Sequence, residues 1–409
     1  MPLSVTGTDT GKRMVRGLAL LTACARHQFT DQSEDTIEGL LRSGIDWEFF
    51  LRAARRHGMI PLLYWHLQSC AGSVPPAVLT ELHNYFRINS ERNLLLAQEM
   101  IRLLGLLEAH RIPVIVFKGP LLAAMAYGNP SLRRSADLDI LVHEQDVPRL
   151  KVLLNAEGYQ SPPSFCLTLE PALIDYGNEY LFVYPSVGIQ LDVHWRMFPR
   201  YLSFALDDAP LWERIQHLLL GGRRVPTISR EDLLIVLCVH GSKHLWERLS
   251  WICDIAGLIA GQPPMDWTRI LDQAEGQGSS LMLFLGLALA YDLAGTELPS
   301  KVAARIHDEP VIATLAAQVQ RWLSSDIFDL RPLHERAIFF LRLARSLKDK
   351  VRCLSAFAFT PTTADLQFLP PSAWIPLPFY HVVRPFRLLT KYGASALATS
   401  KWNRSDERL

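Results

Sequence analysis

Residues 113–142 read PVIVFKGPLLAAMAYGNPSLRRSADLDILV, and the fold turns on how this stretch is parsed. PVIVF (113–117) is a continuous apolar run rich in β-branched residues, the pattern of a buried strand. KGP breaks it as a turn. A short helix to Tyr127 follows, then GNPSLRRSA as a loop. DLDILV (137–142) alternates charged and apolar residues, as a strand with one wet end and one buried face does.

Working outward, a helix is expected from about Gln145 to Glu157, stopped at Gly158. EYLFVY (179–184) and GIQLDVHW (188–195) flank the turn PSVG, the signature of a hairpin. Upstream, DTIEGLLRSG and DWEFFLRAARRHG each open on an Asp cap and end in Gly, and Ser90 to His110 form a long amphipathic helix. After about residue 204 helices dominate, among them REDLLIVLCVHGSKHL, 301–325 and 333–348. The Pro- and aromatic-rich stretch 356–391 reads as an extended strap. The expected organisation is 1–12 disordered, 13–110 helical, 111–203 an α/β core, 204–355 a second helical domain, and 356–409 strap and frayed tail.

The bulk numbers fit a folded globular chain. Of 409 residues, 49% are apolar and 20% charged, and the formal net charge is +1, so no global field favours nucleic acid or acidic membranes. Six cysteines form no CxxC pair, which removes zinc ribbons and thioredoxin-like sites; they read as buried thiols of a reducing cytosol, and a cytoplasmic location is expected. The longest apolar run, LMLFLGLALAYDLAG (281–295), falls short of the ~20 residues a bilayer needs and reads as a buried helix.

Chemistry concentrates in the α/β segment. On a strand, residues i and i+2 point the same way, so Asp137 and Asp139 place two carboxylates on one face. Asp192 on a later strand offers a third. Three carboxylates with Mg²⁺ (or Mn²⁺) are the apparatus of in-line phosphoryl or nucleotidyl transfer. Lys118-Gly119, ending the first strand, offers backbone N–H groups, a helix N-terminus and a point charge to phosphate. A DxD alone is weak, since 41 acidic residues produce it by chance; its placement one helix after strand-KG strengthens it.

The same stretch resembles the uncharacterised nucleotidyltransferase family, a branch of the polymerase-β-like nucleotidyltransferase superfamily. The resemblance rests on Lys118, Gly119, Tyr127, Gly128, Arg133, Asp137 and Asp139. It extends through LDVHW (Asp192, His194, Trp195) and LCVHGSKHLWERLSWICDIAGL (His240, Lys243, His244, Trp246, Trp251, Asp254), and reappears in LPFYHVVRPFRLL. It implies an α+β nucleotidyltransferase fold, a small mixed sheet wrapped by helical regions, and metal-dependent use of an NTP, expected to be ATP. Where the wider superfamily carries Gly-Ser or Gly-Gly, this chain has Lys118-Gly119.

Arg133, Lys243 and His244 are candidates to hold phosphates, with Arg134 as a solvated alternative. His240 and His244, four apart, share one helix face. His194 shares the face of Asp192 and reads as a partner of a metal ligand, as a general base, or as a core histidine bonded to backbone. Trp195, Trp246 and Trp251 are stacking candidates set against the commoner core role, and Asp254 is expected to cap a helix or to pair with a nearby Arg or Lys in the helical region. The acceptor is expected to be a small molecule, sugar phosphate or peptide. No basic stripe with interleaved aromatics points to long nucleic acid. The rival reading is a catalytically silent nucleotide-binding or scaffold protein that keeps the fold.

Overall fold

The computed structural model describes residues 9–25, 31–161, 177–198, 209–325, 333–359 and 384–385. Of the disorder expected over residues 1–12, residues 1–8 lie outside the described residues, and residues 9–12 instead begin a helix. The strap beyond Phe359, apart from Arg384 and Pro385, lies outside them too, as do Cys166 and the tail.

Five helices open the chain: α1 (Asp9–Ala23), α2 (Asp31–Arg42), α3 (Trp47–Arg56), α4 (Ile60–Leu67) and α5 (Pro76–Ala109). α3 is capped as the sequence reads, with the Asp46 side chain accepting from the Phe49 N–H. α5 runs 34 residues, well upstream of the Ser90 start expected. Its first turns carry Val78 and Leu82 into the helical core, and its last turns carry Leu96, Met100, Leu103, Leu104 and Leu107 onto the sheet.

The sheet follows: β1 (Val114–Val116), α6 (Gly119–Tyr127), β2 (Asp137–Val142), α7 (Val147–Ala156), β3 (Glu179–Tyr184) and β4 (Ile189–His194). Its order is β1-β2-β4-β3. β2 and β4 are central and parallel, while β1 and β3 pair antiparallel at the edges, so the sheet is mixed, as expected. Side chains alternate between faces. Leu138, Ile140, Val142, Leu191, Val193, Tyr180 and Phe182 turn to one side and pack with α5 and α7. Ile115, Phe117 and Leu141 turn to the other and join the helical core. That second face also carries the acids of β2 and β4, so the site lies between sheet and helices.

The remaining elements are α8 (Ala209–Glu213), β5 (Gln216–Leu220), β6 (Arg223–Thr227), α9 (Arg230–Lys243), α10 (Leu249–Ala260), α11 (Trp267–Gly276), α12 (Ser280–Ala294), α13 (Ser300–His307), α14 (Pro310–Leu323), α15 (Leu333–Leu343) and α16 (Leu347–Phe359). Three differences from the sequence reading stand out. β5 and β6 form a separate hairpin in a region read as helical. The single helix expected over 301–325 is two, broken before Pro310. α16 extends to Phe359, into the stretch read as a strap. The apolar run 281–295 is α12, with Leu283, Leu285, Leu287 and Leu289 fully buried. Among the described residues no helix is long and apolar enough to cross a membrane.

Two glycines fix how α6 is seated. Gly119 has φ +60°, and a Cβ there would lie 3.1 Å from the Asp137 carbonyl oxygen, so the turn from β1 into α6 passes directly over the start of β2. Gly257 on α10 lets the Ala126 carbonyl approach to where a Cβ would stand 2.5 Å away. α6 is thus held between β2 and α10.

Candidate active site

A cavity of about 340 Å³ opens over the acidic face of the sheet. Its sheet wall is made by Lys118, Asp137, Asp139, Glu179, Asp192 and His194. The facing wall comes from α9 and the start of α10, with His240, Lys243, His244, Glu247, Arg248 and Trp251. Arg133 and Arg134 close the rim on the side of the loop before β2. Five acids and five Lys or Arg side chains line one space, so it is strongly charged yet nearly balanced.

Strand register brings the sheet residues together. Asp139 stands opposite Asp192 across the parallel β2–β4 pair. His194 stands opposite Glu179 across the antiparallel β3–β4 pair. His194 Nε2 lies 3.4 Å from Asp139 Oδ1. Its Nδ1 lies 3.2 Å from Glu179 Oε2, close enough for charge attraction but off the line of a hydrogen bond, so that buried nitrogen has no hydrogen-bond partner. Lys118 Nζ donates to Asp139 Oδ1 at 3.5 Å and to His240 Nδ1 at 3.2 Å, joining the sheet to α9.

Charge is unevenly shared among the acids. Burial alone would raise the Asp139 carboxyl, but Lys118 and the His194 hydrogen bond outweigh it and hold this group well below the usual carboxylate range. Burial and the neighbouring Asp139 raise Asp137. Asp192 is pushed up to about 8 by burial and then by Asp139 and Asp137. Glu179, though buried, is lowered by His194 and Lys243. On the facing wall burial lowers Lys243, with Lys118 adding to it, and brings His244 down to about 3. His240 is likewise lowered by burial and Lys118, so its ring is neutral and free to accept from that lysine.

Asp139, Asp192 and His194 each offer a ligand atom, and these atoms all lie within 4.8 Å of one another. Two carboxylates and an imidazole suit a hard or borderline divalent cation, and Asp192, raised by burial and then by Asp139 and Asp137, marks a place where added positive charge would be welcome. The residues fit a metal. The trio differs in one member from the three aspartates expected. Asp137 sits two residues up β2 on the same face and lines the cavity, but His194 takes its place in the close group.

The other expected residues distribute as follows. Lys118, Arg133, Lys243 and His244 all line the cavity, whereas Gly119 lies behind it in the α6 turn. Arg133 is already engaged: its Nε donates to both oxygens of Asp254 at 3.0 Å, and Tyr127 donates to the same carboxylate at 2.9 Å. Asp254 is therefore the buried anchor of an arginine from the loop before β2, not of a basic residue in the helical region as expected. Of the three tryptophans only Trp251 reaches the cavity, its ring against His240 and His244 and beneath Arg248. Trp195 and Trp246 are core residues. Glu179, Glu247 and Arg248 were not singled out from the sequence. A signal for Glu179 existed: the PSVG turn fixes the β3–β4 register, and that register sets residue 179 opposite His194.

Comparison with known proteins adds one finding. The family model described as "Uncharacterised nucleotidyltransferase" matches residues 43–295, more than half the chain and all of the described site. No curated protein matches the sequence significantly.

Proposed function

From the premise that the chain belongs to the uncharacterised nucleotidyltransferase family, we propose that the cavity over β2 and β4 transfers a nucleoside monophosphate from an NTP to a hydroxyl or phosphate of a small-molecule, sugar or peptide acceptor. The observation that carries this reading is the parallel register that sets Asp139 against Asp192 with His194 beside them. A divalent cation held there, Mg²⁺ or Mn²⁺, supplies positive charge to the phosphoryl oxygens.

The chain's own residues do the rest. Lys118 and Lys243 stand on opposite walls and attract the triphosphate, ATP being the expected donor. The neutral His244 ring offers a hydrogen bond, the rim arginines Arg133 and Arg134 add positive charge, and Gly119 shapes the turn that presents Lys118. The half-buried Trp251 offers an aromatic surface at the far end. Asp137, outside the close ligand group and raised by burial and Asp139, accepts the proton of the acceptor hydroxyl as its oxygen bonds to the α-phosphorus. The bond from that phosphorus to the bridging β-oxygen breaks, and pyrophosphate leaves.

The test is pyrophosphate release from each NTP with Mg²⁺ or Mn²⁺ in wild type and Asp139→Asn. Release by wild type that drops roughly a hundredfold or more in the variant supports the reading. Equal release by both overturns it. NTP binding by wild type with no release under any condition supports the silent nucleotide-binding alternative instead.

A further inference from the structure

Lys118 occupies an unusual post. It is the last residue before α6, and its ammonium reaches into the acidic face to lie 3.5 Å from Asp139 Oδ1. Its side chain is 13% exposed and that of Asp139 5%, so little water screens the contact. The ammonium's second partner is His240 Nδ1 at 3.2 Å. An ammonium carries donors only, so the imidazole must accept and adds no charge to hold the lysine. The backbone beneath is fixed by Gly119 and α6, but the four-carbon stem allows the Nζ to move several ångströms.

The oxygen that Lys118 touches belongs to the carboxylate that groups with Asp192 and His194. An ammonium and a divalent cation on one buried carboxylate repel strongly. We propose that Lys118 is a resident counter-ion of Asp139 which a divalent cation must displace, so that the site takes its cation as a polyphosphate complex in preference to the free ion. The incoming polyphosphate receives the displaced ammonium, and the cation takes its place on Asp139. The inference rests on the metal-binding reading above and adds a binding order to it. It also gives the Lys-Gly pair at the strand end a role that a bare glycine turn cannot supply.

The test uses the full chain and two probes. Mn²⁺ alone is titrated and the free ion followed by its electron paramagnetic resonance signal, for wild type, Lys118→Gln, Lys118→Arg and the double variant Lys118→Gln with Asp139→Asn. Lys118→Gln is expected to bind Mn²⁺ roughly tenfold more tightly than wild type. Lys118→Arg keeps the charge and the weak wild-type affinity, and the double variant loses the gain. In a second arm, tripolyphosphate in metal-free buffer is titrated calorimetrically and is expected to bind Lys118→Gln about tenfold more weakly than wild type. Circular dichroism melts confirm that each variant is folded. Mn²⁺ affinity in Lys118→Gln equal to or below that of wild type overturns the counter-ion role while leaving the nucleotidyltransferase reading standing. Failure of wild type and Lys118→Gln alike to retain Mn²⁺ in equilibrium dialysis even with tripolyphosphate present overturns the two together.

Discussion

Asp254 is 1% exposed and holds Arg133 through both carboxylate oxygens while accepting from Tyr127. Removing it strands a buried guanidinium. Asp254→Ala is expected to cost about 3–5 kcal/mol in urea unfolding, the usual consequence of breaking a buried pair from one side; a loss under about 1 kcal/mol would show the pair to be dispensable. His57 makes a second residue-scale prediction. Its Nδ1 accepts from the Leu249 N–H at 3.4 Å and its Nε2 donates to the Leu323 carbonyl at 3.2 Å, and burial with Arg56 lowers its pKa from 6.5 to about 4. The folded state therefore favours the neutral ring. Its contribution is whole above pH 6.5, declines by at most ~1.4 kcal/mol per unit as pH falls toward about 4, and changes no further below that. Urea melts of wild type minus His57→Gln between pH 7 and pH 4 should show this slope, and a flat difference would refute it. At this scale the sequence was readable where spacing along one strand carries the information. Asp137 and Asp139 share a face because they are two apart, and both line the cavity. Contacts across the fold leave no such mark. The Arg133–Asp254 pair spans 121 positions, and nothing in the Ser/Asn/Pro loop around Arg133 distinguishes a phosphate clamp from an anchored arginine.

The helix that brings His240, Lys243 and His244 to the cavity depends on its first turn. Ser229 caps α9 by accepting from the Asp232 N–H at 3.1 Å, and Asp232 in turn receives Arg214 from beyond α8 and Arg269 from α11. Ser229→Ala is expected to lower stability by about 1 kcal/mol through the lost cap, read as a lower urea midpoint with an unchanged m-value; an unshifted midpoint would count against it. Most elements were legible because periodicity and punctuation agreed. DLDILV is β2 at the expected bounds, EYLFVY is β3, and the PSVG turn joins it to β4. The β5–β6 hairpin was missed although Gly221 and Gly222, both with positive φ, mark its turn. Its strands lack clean alternation: Leu219 is 68% exposed, and Pro226 sits inside β6, which argues against a strand from sequence alone. α5 starts well before Ser90, at Pro76, a residue tolerated in a helix's first turn.

Across the whole molecule, one sheet separates two cores and shares its side chains between them. Leu138, Ile140 and Val142 of β2 face α5 and α7, while Leu141 faces the helical body. Helical body and sheet are also locked by α6, whose seat on α10 requires Gly257. Gly257→Ala would push a methyl group to within 2.5 Å of the Ala126 carbonyl. It should cost about 1–3 kcal/mol through overpacking, and because α6 follows directly from Lys118 it should weaken tripolyphosphate binding as well. Unchanged stability in calorimetric melts would mean that α6 is not held in this way. The two-sided burial explains why fold class was accessible early: a strand that is apolar throughout beside one that carries two acids on one face places a wet site on one face of a buried sheet. Lys118 on one wall meets His240 on the other across 122 positions of chain, and only the fold brings them together.

The claim on which the account rests is that Asp139 and Asp192 meet over a bound cation. Crystals grown with Mn²⁺ and a non-hydrolysable NTP, recorded at a wavelength where manganese scatters anomalously, address it directly. The account predicts an anomalous peak within about 2.5 Å of oxygens from both carboxylates and of the triphosphate, with the Lys118 ammonium moved off Asp139 onto phosphate. Nucleotide bound elsewhere, or in the cavity with no peak between residues 139 and 192, would contradict it.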